Sequence, residues 1–104
     1  MGYQITALYN HPADTAAFDA HYDDVHAPLT LELPGLRTFS VSRPGPGPDG
    51  GKPAFYLIAV LGFDDQATAE AGLNGPVGRK ALADLETFAQ AGVTILIGPS
   101  ATLA

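Results

Sequence analysis

Ala54-Phe-Tyr-Leu-Ile-Ala-Val-Leu-Gly-Phe63 is the stretch on which the fold turns, because it has the length of a strand and is apolar on both faces. Phe55, Leu57, Ala59 and Leu61 alternate onto one side; Tyr56, Ile58 and Val60 fall on the other. Val93 to Ile97 repeats the pattern, with Val93, Ile95 and Ile97 set against Leu96. A sheet that carries helices on one side only has no reason to be apolar on both. Something has to cover the second face.

Working outward, Tyr3 to Tyr9 alternates Tyr3, Ile5, Ala7 and Tyr9 against Gln4, Thr6 and Leu8, the period of a strand, and Asn10-His11-Pro12 ends it. Asp14 is placed to cap a helix that runs to Thr30 or Leu31, with Phe18, Tyr22, Val25 and Leu29 recurring at helical spacing. Leu33-Pro34-Gly35 stops that helix, and Leu36 to Arg43 reads as a second strand. Pro44-Gly-Pro-Gly-Pro-Asp-Gly-Gly-Lys-Pro53 is a loop, either a plain connector or a flap over a cleft. After the third strand, Asp64 or Asp65 can cap a short helix to Leu73. Asn74-Gly75-Pro76 interrupts it, and Val77, Ala81, Leu85, Phe88 and Ala89 form the apolar face of a last helix ending at Gly92.

The order βαββαβ is that of an α+β, ferredoxin-like fold: a four-stranded antiparallel sheet with both helices on one face, as right-handed crossovers require. The 104 residues suit one domain, 1-104, with no chain left over to cover the second sheet face. A second copy packed sheet to sheet is the economical cover, which predicts a homodimer.

Eleven acidic against five basic residues, a net charge of -6, leave no cationic cluster for phosphates, so nucleic acid is not an expected partner. Nor is a membrane, since the run from Ala54 to Phe63 is far shorter than the roughly 20 residues of a spanning helix. Met1-Gly2-x-x-x-Thr6 fits the short myristoylation template, yet the same residues begin an alternating strand. Without cysteine there is no disulfide, thiolate metal site or cysteine nucleophile. With no signal peptide legible in Met-Gly-Tyr-Gln, a cytoplasmic protein is expected.

Phe18-x-x-x-Tyr22-x-x-x-His26-x-Pro28-Leu29, followed by Leu33-Pro34-Gly35-Leu36-Arg37, resembles the EthD branch of the dimeric α/β-barrel superfamily, and the resemblance extends over essentially the whole chain. It implies two sheets packed as a dimeric barrel and a cleft between helices and sheet in each protomer. Related barrels include muconolactone-type isomerases, cofactor-free monooxygenases, polyketide cyclases or decarboxylases and haem-binding enzymes, so the fold does not fix the reaction.

His26 is the expected acid or base. It lies beside Tyr22 at the border of the apolar stripe, and an imidazole titrates where proton transfer on a carbonyl, lactone or enol needs it. Asp23 is expected to orient it and Tyr22 to bind a substrate oxygen, with Phe18, Leu29 and Phe88 as apolar substrate contacts. The competing reading has His26 hydrogen-bonding the Leu33-Pro34-Gly35 turn as a packing element. Accordingly an enzyme that isomerises, cyclises, decarboxylates or oxidises a small apolar molecule stands beside an alternative, a non-catalytic dimer that holds a hydrophobic metabolite.

His21 and His26 are five residues apart, about 140° around a regular helix, so they do not share a metal. His11 falls in a loop. No metal-ligand spacing appears, and no cofactor is expected. Gly45-x-Gly47-x-x-Gly50 matches a dinucleotide fingerprint only formally: it joins two strands, and Pro46 and Pro48 remove amide donors. Gly75-Pro76-Val77-Gly78-Arg79-Lys80 lacks the strand and hydroxyl residue of a phosphate loop.

Overall fold

Tyr9 and Leu57, directly paired on the two central strands, are the largest wholly buried side chains, and the sheet is built around them. Burying a side chain of that size contributes about 1.5–3 kcal/mol. The computed structural model describes residues 2–104; Met1, the first position of the myristoylation template, lies outside the described residues. Strand β1 (Gly2–Tyr9) leads to α1 (Thr15–His21), a π-helical turn (Tyr22–His26) and α2 (Ala27–Leu31), which run on as one rod. Then come β2 (Thr38–Ser42), β3 (Leu57–Phe63), α3 (Gln66–Asn74), α4 (Pro76–Phe88) and β4 (Val93–Ser100). The sheet has four strands in the order β2-β3-β1-β4, with every pair antiparallel. This is the α+β, ferredoxin-like arrangement that the element order predicts.

Caps form where short polar side chains stand before apolar stripes. Asp14 accepts from the amide of Ala17 at 3.0 Å, and Asp65, rather than Asp64, accepts from Thr68 at 2.8 Å. Gly92, which turns the chain from α4 into β4, sits at φ 109°, where an L side chain is strained, and a Cβ there would stand 2.8 Å from Asn10 Nδ2. Strands differ from expectation at their ends. β4 continues three residues past Ile97 and includes Pro99, tolerated because β4 is an edge strand paired only with β1. β3 starts at Leu57, three residues later than predicted.

Register sorts the side chains. Ile5, Ala7 and Tyr9 of β1 face the helices with Leu57, Ala59, Leu61 and Phe63 of β3, and all of these are buried. The opposite face presents Leu8, Ile58, Val60 and Leu96, bordered by Gln4, Thr38, Ser40 and Ser42, and among the described residues the helices pack on the other side, over Ile5, Tyr9 and Leu57. Tyr56 was expected on that face, but it precedes β3, and its hydroxyl donates to Asp19 of α1 at 3.0 Å alongside Arg43 at 2.9 Å. The molecule is a slab 38 × 34 × 18 Å, thin enough for one sheet and one helical layer.

Candidate functional site

Pro28 shapes the site. It has no amide hydrogen, and its ring would clash with the carbonyl of Asp24 in a regular helix. The rod widens just before it, and the amide of Ala27 donates to the carbonyl of Tyr22 in an i→i+5 bond. Residues five apart diverge in an α-helix but return to the same side across such a turn. The 140° separation expected for His21 and His26 is therefore not found. Both imidazoles face α4 and share one carboxylate: His21 Nε2–H donates to Asp84 Oδ1 at 2.7 Å, and His26 Nδ1–H donates to Asp84 Oδ2 at 2.9 Å.

That anchoring leaves His26 Nε2 as the acceptor nitrogen. It points toward the hydroxyl of Tyr9, which donates to it over 3.4 Å, long for a hydrogen bond and readily exchanged for a ligand oxygen. His26 is buried at 5% exposure, and Thr30 Oγ1–H bonds its backbone carbonyl at 2.9 Å. Its ring nitrogens engage Asp84 and Tyr9, not the Leu33-Pro34-Gly35 turn. The rings of Phe88 and Tyr22 flank it, with centroids at 4.8 and 5.5 Å.

Burial pushes the His26 imidazole below its ordinary pKa of 6.5, and the hydrogen bond and charge of Asp84 oppose that shift. The imidazole therefore rests neutral near pH 7 with a carboxylate in place to offset a proton it gains. Burial also pushes the phenols of Tyr9 and Tyr22 well above the usual range, keeping both hydroxyls protonated as donors. Tyr22 is 2% exposed, and its hydroxyl has no hydrogen bond among the described residues; no fully buried polar side-chain atom is left unpartnered, so this hydroxyl borders open space.

Tyr9, Tyr22 and His26 lie on the wall of a cavity of about 280 Å³ between helices and sheet, otherwise lined by aliphatic side chains such as Ala59, Leu61 and Leu85. Leu82, Ile95 and Ile97, all substantially exposed, also line it and form its rim. A second, outer groove of about 560 Å³ runs between the start of α1 and the end of α4, lined by Pro12, Ala17, Phe18, His21, Phe88 and Gln90. Phe88 lines this groove, its ring stacked on His21 at 4.9 Å and 4.8 Å from that of His26.

The structure thus brings His26, Tyr22 and Phe88 into one aromatic cluster, with Phe18 stacked on Tyr22 at 6.0 Å, while Asp23 and Leu29 take no part in it. Asp23 is exposed and makes no bond to His26; the carboxylate on that imidazole is Asp84. Phe18 and Phe88 line the outer groove instead of the His26 cavity, and Leu29 lines neither. The loop Pro44–Pro53 contributes no side chain to either space, so its reading as a flap has no support. His11 is tied to the carbonyl of Pro53 at 2.8 Å. Among the described residues no three His, Cys, Asp or Glu side chains are arranged to hold a metal ion, and no helix is long and apolar enough to cross a membrane. Tyr9 and Asp84 went unnoticed in the sequence. Asp84 interrupts the apolar seam Val77, Ala81, Leu85, Phe88, and an acid in a buried seam signals a partner.

Comparison with known proteins agrees with this architecture. An uncharacterized 11.0 kDa protein from the thcB-thcC intergenic region of Rhodococcus erythropolis is 40% identical over 101 residues, 97% of each chain. The crystal structure of an EthD-family protein from Bacillus halodurans C-125 superposes with a TM-score of 0.90 at 36% identity, over 97% of this chain and 100% of that one. A dimeric ferredoxin-like protein of unknown function from Thermobifida fusca YX shares the fold at 19% identity and a TM-score of 0.69, over 93% and 89% of the two chains. The EthD domain matches residues 10–92, and the chain belongs to the EthD family.

Proposed function

We propose that the protein works as a homodimer whose protomers each bind a small, mainly apolar, oxygen-bearing molecule in the His26 cavity and move a proton on it without a metal or organic cofactor. The observation that carries this reading is the disposition of one side chain. His26 turns Nε2 toward a phenol hydroxyl on the wall of an apolar cavity, over a long contact of 3.4 Å, while Nδ1 is anchored to the Asp84 carboxylate.

The volume of about 280 Å³ is nearly twice the ~150 Å³ of a cavity that takes up benzene, which suits a one-ring aromatic, lactone or cyclised polyketide fragment. Nε2 accepts a proton from carbon next to a carbonyl, or from an enol or phenol. The oxygen that gains negative charge is met by the hydroxyls of Tyr9 and Tyr22, both held as donors, and the imidazolium is offset by Asp84. Returning the proton from Nε2 to another position completes an isomerisation, a cyclisation or the protonation after loss of carbon dioxide. Apolar walls keep water from competing as acid or base.

The bare sheet face supports the dimer. Leu8, Ile58, Val60 and Leu96 would be buried against the same residues of a second copy, as the two-fold symmetric form of the fold allows. Native mass spectrometry of the purified protein tests assembly and ligand together: the expected result is a dimer retaining a small molecule. With that molecule as substrate, His26→Gln should abolish turnover while leaving folding and dimerisation intact. Turnover that survives the substitution removes His26 from the chemistry, and binding without turnover in the wild type assigns the cavity to a carrier.

A further inference from the structure

His21 stands outside the cavity and has no part in the proton transfer just described, yet it makes the shortest contact in the cluster, 2.7 Å to Asp84. Side-chain exposure falls from 26% for His21 to 13% for Asp84 and 7% for His26, a gradient from outer groove to inner cavity. One carboxylate therefore faces two titratable imidazoles, one wet and one dry. Each donates an N–H to it, so each has its other nitrogen turned away, His26 toward the cavity and His21 toward the groove.

A single negative charge offsets one imidazolium well and a second poorly, because the two positive charges repel across the same carboxylate. We propose that His21 is a positioning residue for His26: through Asp84 the two imidazoles hold one proton in common, taken up on the cavity side as it is released on the groove side. This rests on the reading of His26 as acid and base. With the pair singly protonated, His26 Nε2 takes a proton from the substrate, the substrate keeps the electron pair as an enolate, and His21 loses a proton to water in the groove. The cluster's charge is unchanged. When His26 returns its proton to the substrate, His21 takes one back, so the Asp84 carboxylate never faces two imidazolium charges at once, and the enolate formed in between is met by the hydroxyls of Tyr9 and Tyr22.

The other titratable groups do not disturb this pairing. Those facing His26 are Tyr9 from β1, Tyr22 from its own helix and Asp84 from α4; the phenols stay neutral because burial raises them. His21 faces Asp84 from α4, and Asp14, the cap of its own helix, lines the same groove.

The test is a nitrogen-15 NMR titration of the histidines in the ligand-free protein, comparing wild type with His21→Gln, whose amide can still donate to Asp84 but does not titrate. In the wild type, the His26 signal is expected to show two inflections, the signature of two sites coupled through one carboxylate. In the variant it is expected to show one, displaced upward by about one pH unit, the size of interaction at which paired sites cease to titrate independently. A merely structural His21 leaves the His26 midpoint unmoved or lowers it, and either result overturns the proposal. If the variant does not fold, the wild-type curves decide alone, since two independent single inflections also overturn it. No substrate is present, so failure of His26 as a catalyst in turnover assays is a separate result and leaves this titration unaffected.

Discussion

Asp84→Asn removes one negative charge and almost no volume, so its effect isolates the electrostatic support of His26. In the folded protein burial lowers the pKa of His26 and Asp84 raises it, and the first effect prevails. A hydrogen bond to a charged partner contributes about 1.5–3 kcal/mol. At 1.36 kcal/mol per pH unit, losing it moves the His26 midpoint down by about 1–2 units, since the imidazolium alone is destabilised. The exposures of 7% for His26 and 13% for Asp84 leave little solvent to screen the loss. The assay is a proton NMR titration of His26 between pH 3 and 8, with amide dispersion as the check on folding. A midpoint that stays or rises in Asp84→Asn would refute the reasoning that this carboxylate sustains the charged form.

Three other outcomes are expected. Because His26 binds a proton more weakly folded than unfolded, stability is retained above pH 6.5 and falls as pH drops below it toward the folded pKa, with a slope of at most about 1.4 kcal/mol per pH unit; urea unfolding at several pH values, compared with His26→Gln, measures it. Tyr9→Phe discards only a 3.4 Å contact, so Tm should change little, whereas affinity for an oxygen-bearing ligand should fall about tenfold by calorimetry, the loss of one net hydrogen bond. Val60→Asp places a charge in the middle of the bare sheet face and should shift the protein from dimer to monomer in analytical ultracentrifugation; an unchanged dimer would relocate the interface.

The fold was open to reading because its evidence is local. Strand alternation and the caps at Asp14 and Asp65 each depend on neighbouring residues, and the βαββαβ order leaves few ways to assemble them; the last helix ends at Phe88, short of the Gly92 stop that the sequence suggests. Strand ends were less legible: the pairing of Gly98 and Pro99 with β1 is set by the partner strand, not by the propensities of either residue. The site was legible in part. His26 and Tyr22 stood out as polar tips on an apolar stripe. The partner of His26 did not, because Asp23 lies near it in sequence while Asp84 reaches it only through the packing of α4 on the first helical rod. The same π-helical turn defeated the assumption of 100° per residue that kept His21 and His26 apart. Pro28, in plain view within the helix, was the cue to that irregularity. Phe18 and Phe88 were read as pocket walls from their apolar faces, but a face toward the core does not say which of two adjacent spaces a ring borders.

Hydrogen–deuterium exchange at the carbon next to the carbonyl of a one-ring cyclic ketone, followed by NMR in deuterium oxide with wild type and His26→Gln, tests most directly whether His26 moves protons in the cavity. Wild-type protein is expected to incorporate deuterium well above the buffer rate, and His26→Gln, with the ketone still bound, is expected to fall to that rate. Equal incorporation by the two proteins, or none by a wild type shown to bind the ketone, would contradict the account.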